Sequence, residues 1–503
     1  MKRDGMKRLP LLLVCWLTAA TVARADELPP LVHSVIGTTT TAADSSLSVT
    51  LVHKMQQFDW QDKATLDKDI YSPKSVNIHP NGRKFYVNSL EGAATIAYEV
   101  GTWRKLAVVS HRFDERHAAL WAPPSGLFRF THYPADKRPL NNFYGKPVES
   151  TFSHGGRYLW VPYYRRSYDI NAQDPSAMAV IDTESDTIVR LFETGPLPKM
   201  VACSHDSTMV AVTLWGDNTV ALLDVSSQRP ADWHYTRLYT VDYQLKLNFS
   251  LTQPVDRDVK SGYTLRGTVF TPDDRYLLVS CMAGASGIAV IDLQRQQYLG
   301  RVLGMRSNVR HLIINDGWLY LSSNASGYVQ RMRLDKFLEA AQHITNRTAQ
   351  TQGQWQECQV MPGTRTIEAS PSGRYIFAAC NRGSKLCVVD TRTMRLVLSA
   401  DVDSYPVGLD VSADGSLVIL TSQGRGRQGG NAVNVFSVSY AQPEAAPKAE
   451  AAAQLPPPAQ GGAEEKPDTG PWGLTALIGL ICLTGLLCLI GLIRLMGPMR
   501  ARQ

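Results

Sequence analysis

No CxxC, CxxCH or zinc-type spacing of cysteine and histidine occurs in these 503 residues. Covalent haem attachment and the common structural zinc sites are therefore excluded. GxSxG, SxxK and the phosphate-loop pattern are also missing, which removes the usual motif-bearing serine nucleophiles and nucleotide-binding enzymes. Charge of one sign is not in excess. The chain has 52 Lys and Arg against 45 Asp and Glu, a net +7, and several of those positive charges belong to its two ends. The body is only mildly basic, so charge gives nucleic acid no support as a partner.

The ends are distinctive. MKRDGMKR is followed by LPLLLVCWLTAATV and then Ala23-Arg24-Ala25: a basic start, a short apolar run and an A-x-A cleavage site. A signal peptide over 1–25 and a linker over 26–45 are predicted. Cys15 lies inside the apolar run and lacks the small residues of a lipoprotein box. At the far end no charge occurs from Trp472 to Ile493, a length that spans roughly 33 Å as a helix. Arg494, Arg500 and Arg502 follow, and positive flanks stay cytoplasmic. The expectation is one transmembrane helix over 472–494, a cytoplasmic tail over 495–503, and everything before them on the periplasmic or extracellular side of the cytoplasmic membrane. The Ala/Pro/Glu/Gln stretch 441–471 has no apolar period and reads as a disordered stalk. Within it, Lys466-Pro467-Asp468-Thr469-Gly470 is similar to a sortase signal, with Lys where Leu belongs.

Of eight cysteines, five remain between the ends: Cys203, Cys281, Cys358, Cys380 and Cys387. An odd count leaves at least one thiol free or paired between molecules. Cys380 and Cys387 flank a predicted hairpin and could form a disulfide, which an oxidising compartment permits.

Seven segments of the body share one grammar: an apolar strand, a tight polar turn, a second strand, a loop, then a strand often ending in Asp. The turns include His79-Pro80-Asn81-Gly82, Thr271-Pro272-Asp273-Asp274, Ser370-Pro371-Ser372-Gly373 and Ser412-Ala413-Asp414-Gly415, built from residues that favour turns. The clearest copy runs from Thr366 to Val402 and divides into four strands, IEAS, YIFAAC, LCVVD and LVLSADV. A four-stranded unit repeated seven times is a seven-bladed all-β propeller over 46–440. The SPSG-type turns, the VIDT-type third strands and Gly195-Pro196-Leu197-Pro198 resemble the YVTN family of bacterial and archaeal propellers, over roughly 47–440. That resemblance implies the fold and leaves the activity open. The last repeat ends at a third strand, NAVNVFSV, so SLSVTLVHKM at 46–55 is predicted to supply the outer strand that closes the ring.

Insertions near 110–146, 163–176 and 243–264 are expected on one face of the ring. The first is rich in aromatics: Trp121, Phe128, Phe130, Tyr133, Phe143 and Tyr144. A fourth, 336–359, falls on the opposite face and includes the helical pattern LDKFLEAAQ. Aligning the first strands on their turns places Lys74, Lys199, Arg266, Arg310 and Arg365 at equivalent positions; the second and seventh repeats have Val148 and Val407. Five cations are thus expected at the channel mouth, with Arg165, Arg166, Arg382 and Arg425 as a secondary rim. Such convergence favours an anionic ligand, although Glu149, Asp169, Asp174, Asp256 and Asp258 could neutralise much of the charge. His111, Asp114 and His117 recur every third residue, but ligation at that spacing needs a helix the sequence does not support, so no metal is expected.

The expectation is a binding or scaffold module without a cofactor. Its partner would be an envelope protein, a glycan, a peptide carboxylate or another anionic ligand. The alternative is a propeller enzyme, a hydrolase, lactonase or cofactor-dependent oxidoreductase, working in the central funnel.

Overall fold

The computed structural model describes residues 31–58, 63–129, 142–245, 255–424 and 429–442. The expected signal peptide, stalk and transmembrane helix lie outside the described residues. Among the described residues no helix is long and apolar enough to cross a membrane.

Seven sheets form. Blade 1 is the plain case, a meander of Pro73–Ile78, Lys84–Ser89, Ala94–Glu99 and Lys105–Ser110. The first strands of blades 3 to 7 are Pro198–Cys203, Leu265–Phe270, Val309–Asn315, Thr364–Ala369 and Pro406–Val411. Blade 2 departs from the pattern. Its first strand is divided into Phe143–Pro147 and Thr151–Ser153, both paired to Tyr158–Arg166. Blade 7 takes three strands from the end of the ring and its fourth from Leu47–Gln56, which pairs antiparallel with Ala432–Tyr440 and carries Thr39–Thr41 on its outer side. Ring closure by the segment before the first repeat, expected above, is what the chain does. It removes the edge an open ring would expose.

Alternation along each strand sends successive side chains to the two neighbouring blades. Val210, Val212 and Leu214 of blade 3 pack on Trp160 and Met178 of blade 2. Ala211, between them, packs toward Leu277 and Val279 of blade 4. Seven buried clusters result, one in each gap between adjacent blades. Each fully buried Val or Leu contributes about 1.5–3 kcal/mol, so the ring is held together by repetition of one modest interface.

Turn chemistry follows the sequence. Gly82, Gly373 and Gly415 take φ of 69°, 71° and 73° at the same place in their blades, a conformation that glycine adopts without a Cβ penalty. The blade 5 insertion carries the helix Leu334–Gln342, and then adds Thr348–Gln350 in parallel to the outer strand of blade 4.

The inner strands determine the site. Six of them slip register between their first residue and the third or fourth, the first residues being Pro73, Pro198, Leu265, Val309, Thr364 and Pro406. Such bulges re-aim side chains. Neighbouring inner strands also come very close. A Cβ on Gly408 would lie 2.6 Å from the Lys74 carbonyl oxygen, and one on Gly267 would lie 2.9 Å from His311 Cα.

Candidate functional site

Lys74, Lys199, Arg266, Arg310 and Arg365 are each the second residue of an inner strand, at the bulge. The structure brings them together. Burial pushes Lys74 well below the usual lysine range, and Arg365, Arg266 and Arg310 add to the effect. Arg310 is displaced downward by burial and then by Arg365 and Arg266. Arg365 is pushed down to about 10, by burial first and Arg266 second. Mutual repulsion of this kind requires the groups to lie near one another, as the shared position on neighbouring inner strands places them.

Two of the five have a carboxylate. Arg266 is bonded to Glu149, both side chains being almost fully buried, and Arg266 Nη1 donates to the Lys199 carbonyl oxygen at 3.2 Å. Lys199 Nζ lies 2.8 Å from Asp258 and sits 3.8 Å from the Tyr164 ring centre and 4.8 Å from that of Trp215. Burial brings the Lys199 ammonium down to about 7 against the pull of Asp258. Lys74, Arg310 and Arg365 make no ion pair among the described residues. Arg310 Nη1 finds only Met282 Sδ at 3.7 Å, and Arg365 Nε is buried without a partner there.

Glu149 and Asp258 are thus the acids that neutralise the ring. The others suggested by sequence serve elsewhere. Asp169 accepts from the amides of Gln173 and Asp174, and Asp256 accepts from the amide of Asp258. Glu149 reaches the axis because blade 2 leaves residues 148–150 between its two inner segments.

Directly beyond the ring the channel widens into a cavity of about 260 Å3, lined among others by Asn77, Glu149, His311, Thr366, Glu368 and Asp410. Glu368 stands three residues after Arg365, and Asp410 three after Val407, on neighbouring strands. Burial pushes Glu368 up to about 8, with Asp410 adding repulsion. Burial also raises Asp410 to about 7, although its carboxylate accepts from the amides of Ile78 at 2.6 Å and Val411 at 2.8 Å. Neither acid has an ion-pair partner among the described residues. His311 is held down to about 4 by burial, and its Nδ1 has no partner among the described residues.

The secondary rim divides. Arg382 is exposed on a short turn, Asn381–Gly383. Arg165 bonds the Ile170 carbonyl within its own loop. Arg166 is not on the rim: it is buried, set over the rings of Trp121 and Phe143, with Nη2 donating to the Ser176 carbonyl at 3.0 Å. Arg425, Phe130 and Tyr133 lie outside the described residues. The described part of the first insertion runs along the outer side of blade 2, where Trp121 pairs with Leu191 and Phe128 packs on Tyr235. Trp121, Phe128 and Phe143 serve the core there, while Tyr144 is exposed. The other two insertions join each other, the Arg257 amide donating to the Asn171 carbonyl at 3.1 Å.

Contrary to the expectation of no helix, Glu115–Leu120 forms a 3-10 helix capped by Asp114 and His117. His111 is spent on Thr95 and Tyr163, at 2.7 and 2.9 Å. Among the described residues no group of three or more His, Cys, Asp or Glu could hold a metal ion. Cys380 and Cys387 are neighbours in blade 6, and both are free buried thiols. The carboxyl pair was missed by sequence reasoning. Its signal was present as Glu368 and Asp410 at matching positions of two inner strands, TRTIEA and PVGLDV, each between apolar neighbours.

No family model matches the chain, and no curated protein matches it. Among solved structures it is similar to hydrazine synthase of Kuenenia stuttgartiensis, at 12% identity over 75% of this chain and 99% of that one, TM-score 0.49. It is also similar to the Cps50 (Swd1) β-propeller domain of Myceliophteria thermophila, at 11% identity over 73% and 97%, TM-score 0.48. These likenesses carry no argument about activity; the seven sheets themselves establish the fold.

Proposed function

We propose that the protein is a YVTN-type binding propeller, secreted, tethered by its C-terminal helix to the outer side of the cytoplasmic membrane, whose channel ring holds an anionic group of its ligand. The observation that carries this reading is the surplus at the ring. Three buried cations, Lys74, Lys199 and Arg266, and two half-buried ones, Arg310 and Arg365, meet two carboxylates among the described residues, and keeping like charges together away from water is costly unless something repays it. A carboxylate or phosphate does so, and arginine suits either. The enzyme alternative draws on the raised carboxyls of Glu368 and Asp410, groups suited to acid and base roles.

Calorimetric titration of the full-length chain in detergent with citrate and with pyrophosphate tests the proposal. Replacing Lys74, Arg310 and Arg365 together with Gln should weaken binding at least a hundredfold while the melting temperature stays level or rises. Equal, salt-insensitive affinity in both proteins would refute the ring as the ligand site. Terminal sequencing and protease access in whole cells test the start near Asp26 and the outward orientation.

A further inference from the structure

The channel has two chemically opposite ends. At the ring, Lys74, Arg310 and Arg365 face one another without a carboxylate among the described residues to pair with them. Across the cavity, Glu368 and Asp410 lie on neighbouring strands without an ion-pair partner among the described residues. Three strand residues separate the two levels, a rise of about 10 Å. Between them the wall is polar on several sides: Ser75 and Asn77 from blade 1, Ser150 and Thr151 from blade 2, Thr366 from blade 6. His311 of blade 5 adds a buried ring nitrogen with no partner among the described residues. A simple anion would use only one end of this arrangement and leave the acid pair unanswered.

We infer that the channel takes a short free peptide of about three residues, its terminal carboxylate at the cation ring and its terminal ammonium at Glu368 and Asp410. This deepens the anion-binding reading and rests on it. Length supports the match, since an extended chain spans at most about 3.3–3.6 Å per residue, so three residues cover the distance between the levels. Volume supports it as well, because about 260 Å3 admits a slender chain and no bulky polymer. The wall groups also bond one another, Ser150 Oγ donating to Asn77 Oδ1, Asn77 Nδ2 to the Ser150 carbonyl and Thr366 Oγ1 to the Val407 carbonyl, and their remaining lone pairs can accept from peptide N–H groups. The like-charged pair fits an ammonium better than a hydroxyl: an ammonium lying between two carboxylates lets both ionise, and it donates three hydrogen bonds.

The test titrates the full-length chain with triglycine, N-acetyl-triglycine and citrate. Triglycine should bind at least tenfold more tightly than its acetylated form, which retains the carboxylate and lacks the ammonium. Glu368→Gln together with Asp410→Asn should bring that ratio to about one, and diglycine and pentaglycine should both bind less tightly than triglycine. If citrate binds but the free and acetylated peptides bind equally, the peptide inference falls and the anion-binding reading stands. If neither citrate nor either peptide binds, both fall. Should the double variant not fold, the free-to-acetylated ratio in the unaltered chain decides alone.

Discussion

The ring and the carboxyl pair occupy one channel, a few residues apart on the same strands, and they handle buried charge in opposite ways. At the ring, guanidinium groups are crowded together, and among the described residues only Arg266 and Lys199 are given carboxylates. At the pair, burial and mutual repulsion raise both acids toward neutrality, so that charge is shed rather than compensated. Arginine cannot escape in that way within the accessible pH range, so its charge persists and must be met by a counter-ion. The lesson is that the ring is a site under electrostatic load and the pair a site able to switch its load on and off.

The contrast can be broken most severely at Glu149. It is the most enclosed acid at the ring, and Glu149→Gln leaves Arg266 buried and unmatched, a loss of about 3–5 kcal/mol in folding stability. Urea unfolding should show it as a lower midpoint with an unchanged slope. Relieving the load has the opposite sign. Lys74→Met removes a buried cation repelled by three arginines and should stabilise the ring by about 1–3 kcal/mol, at the expense of citrate affinity. A fall in stability would mean that Lys74 is better compensated than the geometry allows.

The pair yields a pH prediction. The folded carboxyls titrate higher than unfolded ones, so between the ordinary carboxyl range and about pH 8 the folded chain holds protons that the unfolded chain has released. Stability therefore falls as pH rises through that window, by up to about 1.4 kcal/mol per pH unit for each group. Lys199, depressed to about 7, acts the other way only above that value, because there the unfolded lysine keeps a proton that the folded one has lost. Up to the ordinary histidine range His311, held down to about 4, and His111, down to about 3, also oppose the acids, so the contribution of the pair is read as the difference between a variant and its parent. Glu368→Gln should flatten the pair's decline between about pH 5 and 7, with its stability gain over the parent growing as pH increases. A gain that stays constant across this range would count against a raised acid at this position.

How much of this was legible in the sequence differs between the two ends for a physical reason. The ring cations stand at a fixed offset from repeated turns, so alignment of Lys74 with Pro80 and its counterparts found all five. The bulge that aims them inward left no letter of its own, and neither did the interruption of blade 2 that delivers Glu149 to the axis. Arg166 shows the limit of reading charge as exposure, because its guanidinium is enclosed by Trp121 and Phe143. Glu368 and Asp410 could have been singled out as acids set between apolar residues at matching strand positions. That they are neighbours follows only from ring order, which places the sixth and seventh inner strands side by side.

The gentlest probe is Asp258, which separates two kinds of neutralisation within the ring. Its pair with Lys199 leaves the carboxylate side chain 37% exposed, against 12% for Glu149, so water screens it and the loop that carries it can adjust. Burial alone would raise this acid, but Lys199, together with a hydrogen bond from Tyr164, holds it below its usual range. Asp258→Asn should therefore cost less than about 1 kcal/mol of stability, while the Lys199 ammonium, deprived of its closest anion, should titrate lower still. Proton titration of that amine by NMR would read the shift directly. A downward shift with little loss of stability would show that Asp258 tunes the ring from its solvent side, whereas Glu149 holds it together from within.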